Sequence, residues 1–168
     1  AIAKKAKAFD MKVIATRRLQ KKVEHKKTVD ELIPVSNLSH LLKNSDFVVI
    51  ACPLTPVTKN MIGKRELSEM KSTAFIINIA RGEIINEAAL INALQNKTLA
   101  GAALDVFEKE PLPKESPLFA LDNVFLSPHI SGNFPEYQHD VMVQFADNLN
   151  RYLAGKDLKN RVCKKRLY

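Results

Sequence analysis

Two cysteines in 168 residues, Cys52 and Cys163, are too few for a disulfide framework. The fold must rest on its core, and a reducing cytoplasm is the expected setting. No apolar run approaches the ~20 residues that a membrane-spanning helix needs. Residues 1–9, AIAKKAKAF, are too short and too often broken by lysine to be a secretory signal, and no initiating methionine precedes them. Cysteine and histidine never fall at metal-ligand spacing, so no metal site is expected. His25, His40 and His139 belong to no motif and read as surface residues. Acidic residues are the minority, 18 against 26 Lys and Arg, for a net charge of +8. That excess permits an anionic partner. Its densest group, Arg17 to Lys27, has no interleaved aromatics, which argues against nucleic acid. Internal repeats and low-complexity segments are absent.

What is present is ordinary for a globular domain: 46% apolar and 26% charged residues. A helical stripe at positions 2, 6 and 9 opens the chain. Residues 11–16, MKVIAT, read as a strand, and residues 17–27 as a basic loop. A brief extended piece is expected at 32–35, limited by Pro34. Ser36 is placed to cap a short helix through Leu38, Leu41 and Leu42. Residues 46–52, DFVVIAC, form a second buried strand, and PLTP after it must be a loop. A short helix over 64–70 precedes the strand Phe75, Ile76, Ile77 and Ile79. A helix from Asn86 or Glu87 to Asn96 follows, with Leu90, Ile91 and Leu94 inward. Strands at 100–107 and 124–127 flank a proline-rich loop. A long helix runs from 136 to 154, with Val141, Phe145, Leu149 and Tyr152 on one face, and Gly155 ends it. Strands alternating with helices at this spacing imply a doubly wound parallel sheet of Rossmann type. In such a sheet the carboxyl ends of the strands share one rim. Arg17, Pro53, Arg81, Asp105, Glu110 and His129 all follow strand ends, and their convergence is the strongest physical sign of a site.

The centre of that rim is residues 73–85, TAFIINIARGEII. Arg81 offers a permanent planar cation with forked donors, suited to a carboxylate or a polarised keto oxygen. Gly82 lets the backbone turn behind it. A surface arginine in a tight turn is the alternative. Cys52 reads as a small, partly buried apolar residue rather than a nucleophile.

Four segments together resemble the D-isomer-specific 2-hydroxyacid dehydrogenase family: SDFVVIACPLTPVT, MKSTAFIINIARGEIIN, AALDVFEKEPLP and SPHISG. They occur in the family's order and span most of the chain. The resemblance implies hydride transfer between NAD or NADP and C2 of a small 2-hydroxy or 2-keto acid. It implies that Arg81 holds the substrate's carboxylate and keto oxygen. His129 would be the general acid/base, and Glu110 would favour its protonated form. Reduction creates an alkoxide, so a proton donor working near neutral pH is what the chemistry asks for. Asp105 would face the nicotinamide carboxamide. Cys52, Pro53, Thr58, Ile79, Ala80, Arg81, His129, Ser131 and Gly132 would line the cofactor.

Two departures from the family pattern shape the remaining expectations. The first strand and its G-x-G-x-x-G turn, which bring backbone amides to the pyrophosphate, are missing. So is a substrate domain. Residues 1–154 are therefore expected to be a truncated dinucleotide-binding domain, and residues 155–168 a polar tail. In the strand order 3-2-1-4-5-6 the missing strand is central, so two inner edges should be left unpaired. Cofactor binding by the isolated chain should be weak. The second departure is Thr16-Arg17-Arg18, where NAD-binding relatives carry an acid. Arg17 and Arg18 could meet the 2′-phosphate, which slightly favours NADP. The parent is expected to be a homodimer with no nucleic-acid or membrane partner. A non-catalytic, corepressor-like sensor of nicotinamide dinucleotide is the alternative function, and an inert truncated product is another.

Overall fold

The computed structural model describes residues 1–164; the last four residues of the expected tail lie outside the described part. The strands form two sheets. A three-stranded sheet has the order β1-β3-β2, and a four-stranded parallel sheet has the order β4-β5-β6-β7. They comprise β1 (Ile14–Thr16), β2 (Glu24–Lys26), β3 (Val29–Ile33), β4 (Phe47–Ile50), β5 (Phe75–Asn78), β6 (Gly101–Leu104) and β7 (Val124–Leu126). Strand β1 pairs in parallel with β3, and β4 pairs in parallel with β5. Among the described residues the other edges of β1 and β4 carry no strand. These are the two inner edges expected to be open.

The basic segment after β1 is not wholly a loop. Its last residues form β2, which pairs antiparallel with β3. Strand β3 begins earlier than the extended piece read from Pro34. Two acids, Asp30 and Glu31, obscured it. Asp30 accepts from the Val13 amide and pairs with Lys7, while Glu31 pairs with Lys12 and His40. Ser36 does not cap α2 (Leu38–Asn44); it sits inside a short 3-10 turn, Val35–Asn37, and Asn37 takes the cap position.

Helices α3 (Lys64–Ser68) and α4 (Glu87–Gln95) cover one face of the larger sheet. Asn86 caps α4 by accepting from the Ala89 amide at 2.8 Å. Leu90 and Leu94 are buried as expected, together with Ile50, Ile76, Ala102, Leu104 and Leu118. Ile33 from the smaller sheet and the α2 residues Leu41 and Leu42 join this same core. Strands β4 and β5, read as buried strands, are buried on one face only. Successive side chains alternate, so Val48, Ile50 and Ile76 point into the core, while Phe47 and Phe125 lie on the open face and are 52% and 69% exposed.

Helix α1 (Ile2–Ala8) lies beside the smaller sheet, tied to it by Lys7 and Asp30. Every residue of the long helix α5 (Tyr137–Leu153) is partly or fully exposed. Its stripe of Val141, Phe145, Leu149 and Tyr152 faces solvent. The segment after it folds back along it: the Lys159 amide donates to Asn148 at 2.8 Å, and Lys159 pairs with Asp147. Gly155 ends α5 with φ +64°, the left-handed geometry its lack of a Cβ permits. Among the described residues no helix is long and apolar enough to cross a membrane.

Candidate active site

The site is built where β5, β6 and β7 end. Strand β5 finishes on Asn78, a polar side chain only 1% exposed at the end of an apolar run. Its amide nitrogen donates to the Arg81 carbonyl at 2.9 Å, and its oxygen accepts from the Ala80 amide at 3.0 Å. Asn78 therefore folds the turn that presents Arg81. The guanidinium itself is exposed and donates to the Ala80 carbonyl. Behind it, Gly82 is buried against the backbone of Phe107 and Glu108.

That contact brings the segment after β6 to the same place. Glu110 reaches back so that its Oε1 accepts from the Phe107 amide at 3.0 Å. Its Oε2 meets His129 Nδ1 at 2.7 Å. The histidine contact, then the Phe107 amide and the charges of His129 and Arg81, hold the Glu110 carboxyl below its ordinary range against the opposing effect of burial. Glu87, at the start of α4, braces the approach by accepting from the Glu108 amide. Glu110 and His129 thus meet from two separate strand ends, and Gly82, next to Arg81, packs on the backbone that leads to Glu110.

Asp105 follows β6 directly and is 3% exposed. Burial opposes its charge, but the Ser127 hydroxyl, Ser131 and the Ile130 amide together outweigh it and hold the carboxyl far below the usual range. Such a depressed group contributes stability that is present in full above the ordinary aspartate value, about pH 4, and is lost as pH falls further towards the folded value. Hydrogen exchange at the Ile130 and Ser131 amides should accordingly show constant protection from neutral pH down to about 4 and a progressive loss only below it.

The remaining expected residues are distributed along the rim. Ile79 and Ser131 line a shallow groove together with Ile77, Ala103, Asp105 and Ser127. Ala80 packs against the core's edge. Cys52 is half-buried after β4, and burial pushes its thiol pKa up, as fits an inert side chain. Pro53 and Thr58 belong to one ordered loop, since the Thr58 hydroxyl donates to the Pro53 carbonyl at 2.7 Å. Gly132 is exposed, with open space where a Cβ would stand. Arg17 and Arg18 lie apart from the triad, on the smaller sheet at the end of β1; Arg17 donates to Gln20 at 3.1 Å. Just before them, Thr16 Oγ1 is buried and has no hydrogen-bond partner among the described residues. Sequence reasoning does not find Asn78 or Glu87. A polar residue closing an otherwise apolar strand is the available signal for Asn78.

Residues 1–131 match the profile of the D-isomer specific 2-hydroxyacid dehydrogenase NAD binding domain. The chain belongs to this family. Among its relatives, a glyoxylate reductase of Thermococcus gammatolerans is 49% identical over 130 residues, which is 77% of this chain and 38% of that protein. A glyoxylate reductase of Pyrococcus furiosus is 43% identical across 93% of this chain and 45% of its own length. A solved NADPH-dependent glyoxylate/hydroxypyruvate reductase from Sinorhizobium meliloti, in complex with NADP and sulfate, superposes with a TM-score of 0.89 at 29% identity. That match covers 99% of this chain and 52% of the other. A 2-hydroxyacid dehydrogenase from Xanthobacter autotrophicus in complex with NADPH gives a TM-score of 0.84 at 36% identity, over 94% of this chain and 63% of that one. The chain spans less than half the length of these two glyoxylate reductases.

The rim fits a nicotinamide dinucleotide. Thr16 Oγ1 is a buried polar atom without a partner among the described residues, and the cations Arg17 and Arg18 stand beside it at a strand end. Such a place suits ribose and phosphate oxygens.

Proposed function

We propose that residues 1–154, followed by the tail 155–168, are the cofactor-binding part of a longer NAD(P)-dependent D-2-hydroxyacid dehydrogenase that reduces small 2-keto acids of the glyoxylate and hydroxypyruvate kind. The observation that carries this reading is the 2.7 Å contact between His129 and Glu110, with the Arg81 charge felt at the same carboxylate. A bound nicotinamide would supply the hydride. The chain's own residues do the rest. Arg81 holds the substrate carboxylate and keto oxygen through its forked donors. His129 gives a proton to that oxygen as negative charge develops on it. Glu110 fixes the imidazole ring through its contact with Nδ1. Cys52, Pro53, Thr58, Ile79, Ala80, Ser131 and Gly132 line the cofactor.

The cofactor is NADPH in preference to NADH. Thr16, Arg17 and Arg18 replace the acid that would accept from the adenosine ribose, and the arginines suit a 2′-phosphate. The relatives' names are those of reductases, which weighs against a non-catalytic sensor. The enzyme acts as a cytoplasmic homodimer, and the exposed apolar stripe of α5 supports an assembly surface.

Steady-state assays of the full-length polypeptide with glyoxylate, hydroxypyruvate, pyruvate and phenylpyruvate test the reading. Turnover of the first two with NADPH is expected, with a kcat/KM about tenfold or more above that for NADH, the worth of one charged hydrogen bond to the 2′-phosphate. No turnover of any keto acid would end the proposal. Arg17→Ala should lower kcat/KM for NADPH by about tenfold, the loss of that one bond, and leave NADH turnover unchanged.

A further inference from the structure

The loop that carries His129 is strained and is tied down on both sides by one carboxylate. His129 has φ +54°, in the left-handed region that is costly for a residue with a Cβ. Such a conformation persists only where neighbouring contacts over-determine it. Asp105 supplies them. Its Oδ1 accepts from the Ser127 hydroxyl at 2.5 Å and from the Ile130 amide at 2.9 Å. Its Oδ2 accepts from the Ser131 amide at 2.8 Å. One donor precedes His129 and two follow it, so together they clamp the loop around the histidine. Asp105 is itself fixed, because its amide donates to the Asn78 carbonyl at 3.0 Å across the β5–β6 ladder. The His129 side chain is 45% exposed, so the direction of its ring depends on the loop backbone and on the Glu110 contact rather than on enclosure.

We propose that Asp105 is a positioning residue for His129, its carboxylate fixing the 127–131 loop so that the imidazole stays on Glu110. This deepens the function proposed above and rests on it, but it assigns Asp105 a task different from contact with the nicotinamide. A carboxylate suits three donors because it is an acceptor only. An asparagine in its place turns one oxygen into an NH₂ group that faces an N–H, and the clamp fails at that point.

The test uses the full-length polypeptide with Asp105→Asn and Ser127→Ala. The first readout is the low-field proton resonance of His129 Nδ1–H bonded to Glu110, assigned by its loss in Glu110→Gln. Asp105→Asn should abolish it, and Ser127→Ala, which removes one donor of three, should weaken it. The second readout is the split of kinetic constants. Asp105→Asn should lower kcat by about 100-fold, the lower range for loss of a positioned acid/base, with KM for the cofactor within twofold. If Asp105→Asn does not fold, Ser127→Ala carries the test with a fall in kcat of about tenfold, a partial loss of the same positioned acid/base. The resonance persisting in Asp105→Asn would overturn the proposal. So would a tenfold rise in cofactor KM with kcat unchanged, the pattern of a direct cofactor contact. Failure of the underlying function shows separately, as a full rate in His129→Gln, and leaves the resonance test standing.

Discussion

On the proposed function, replacing His129 by glutamine in the full-length polypeptide should lower kcat for 2-keto acid reduction by roughly 10²- to 10⁴-fold, with the dissociation constant for the cofactor unchanged within about twofold; the range is that of general acid/base catalysis by a positioned side chain. Hydride arrival at C2 turns the keto oxygen into an alkoxide, and only a group able to give a proton relieves it. Glutamine keeps a donor of similar reach, so hydrogen bonding to the ground-state oxygen survives and the loss falls on proton transfer. Glu110→Gln should cost less, because the imidazole that gives the proton stays in the protein and only the carboxylate that holds it is lost. Arg81→Lys belongs to a different class. It keeps the charge but loses the fork, so KM for the keto acid should rise more than kcat falls. Stopped-flow and steady-state rates on the three variants separate these outcomes. Equal effects of all three on substrate KM alone would mean that the cluster only binds substrate.

The cluster was legible because its members stand at strand ends, and strand ends can be found from short β-branched runs. Phe75-Ile76-Ile77 announces β5, although the strand stops at Asn78, short of the expected Ile79 and three residues before Arg81. The start of α4 at Asn86 or Glu87 was equally local, and the structure makes Asn86 its cap through the Ala89 amide in the same first turn. What escaped was whatever depends on partners far away in sequence. Strand β3 contains Asp30 and Glu31, which look like loop residues until Lys7, Lys12 and His40 are brought alongside. Strand β2 has only three residues, and its charged side chains suit an edge that must not attract another strand. The polar stitching of Asn78 and Glu87 escaped for a related reason, since each serves a backbone group outside its own element. The stripe on α5 was legible as a stripe, but what lies against it was not. Period-3.6 apolar spacing establishes that a helix has an apolar face, not that this chain covers it.

A single methyl group at Gly82 should damage both stability and catalysis. A Cβ built on Gly82 would stand 1.9 Å from the Phe107 carbonyl carbon, 2.1 Å from its oxygen and 2.4 Å from the Glu108 nitrogen. All three atoms are backbone, so no rotamer change relieves the overlap and one segment must move bodily. The cost expected of such overpacking is about 3 kcal/mol or more, a large share of a typical domain's stability. For a protein of this size that corresponds to a fall in Tm of roughly 6–12 °C. Gly63→Ala is the control, because its Cβ would meet the Glu66 side chain at 3.4 Å and the Asn60 carbonyl at 4.0 Å, both ordinary contacts. The position of the clash ties stability to chemistry. Gly82 follows Arg81, and the backbone it would displace leads directly into Glu110, whose carboxylate is bonded to the Phe107 amide. Gly82→Ala must therefore separate the cation from the acid–imidazole pair even in molecules that remain folded. Calorimetry should show the lowered Tm, and kcat well below the melting transition should fall by about tenfold or more as the acid/base pair leaves the substrate-binding cation, while Gly63→Ala leaves both near wild type. A Gly82→Ala protein with unchanged Tm and kcat would mean that the two segments do not approach one another as closely as the fold requires.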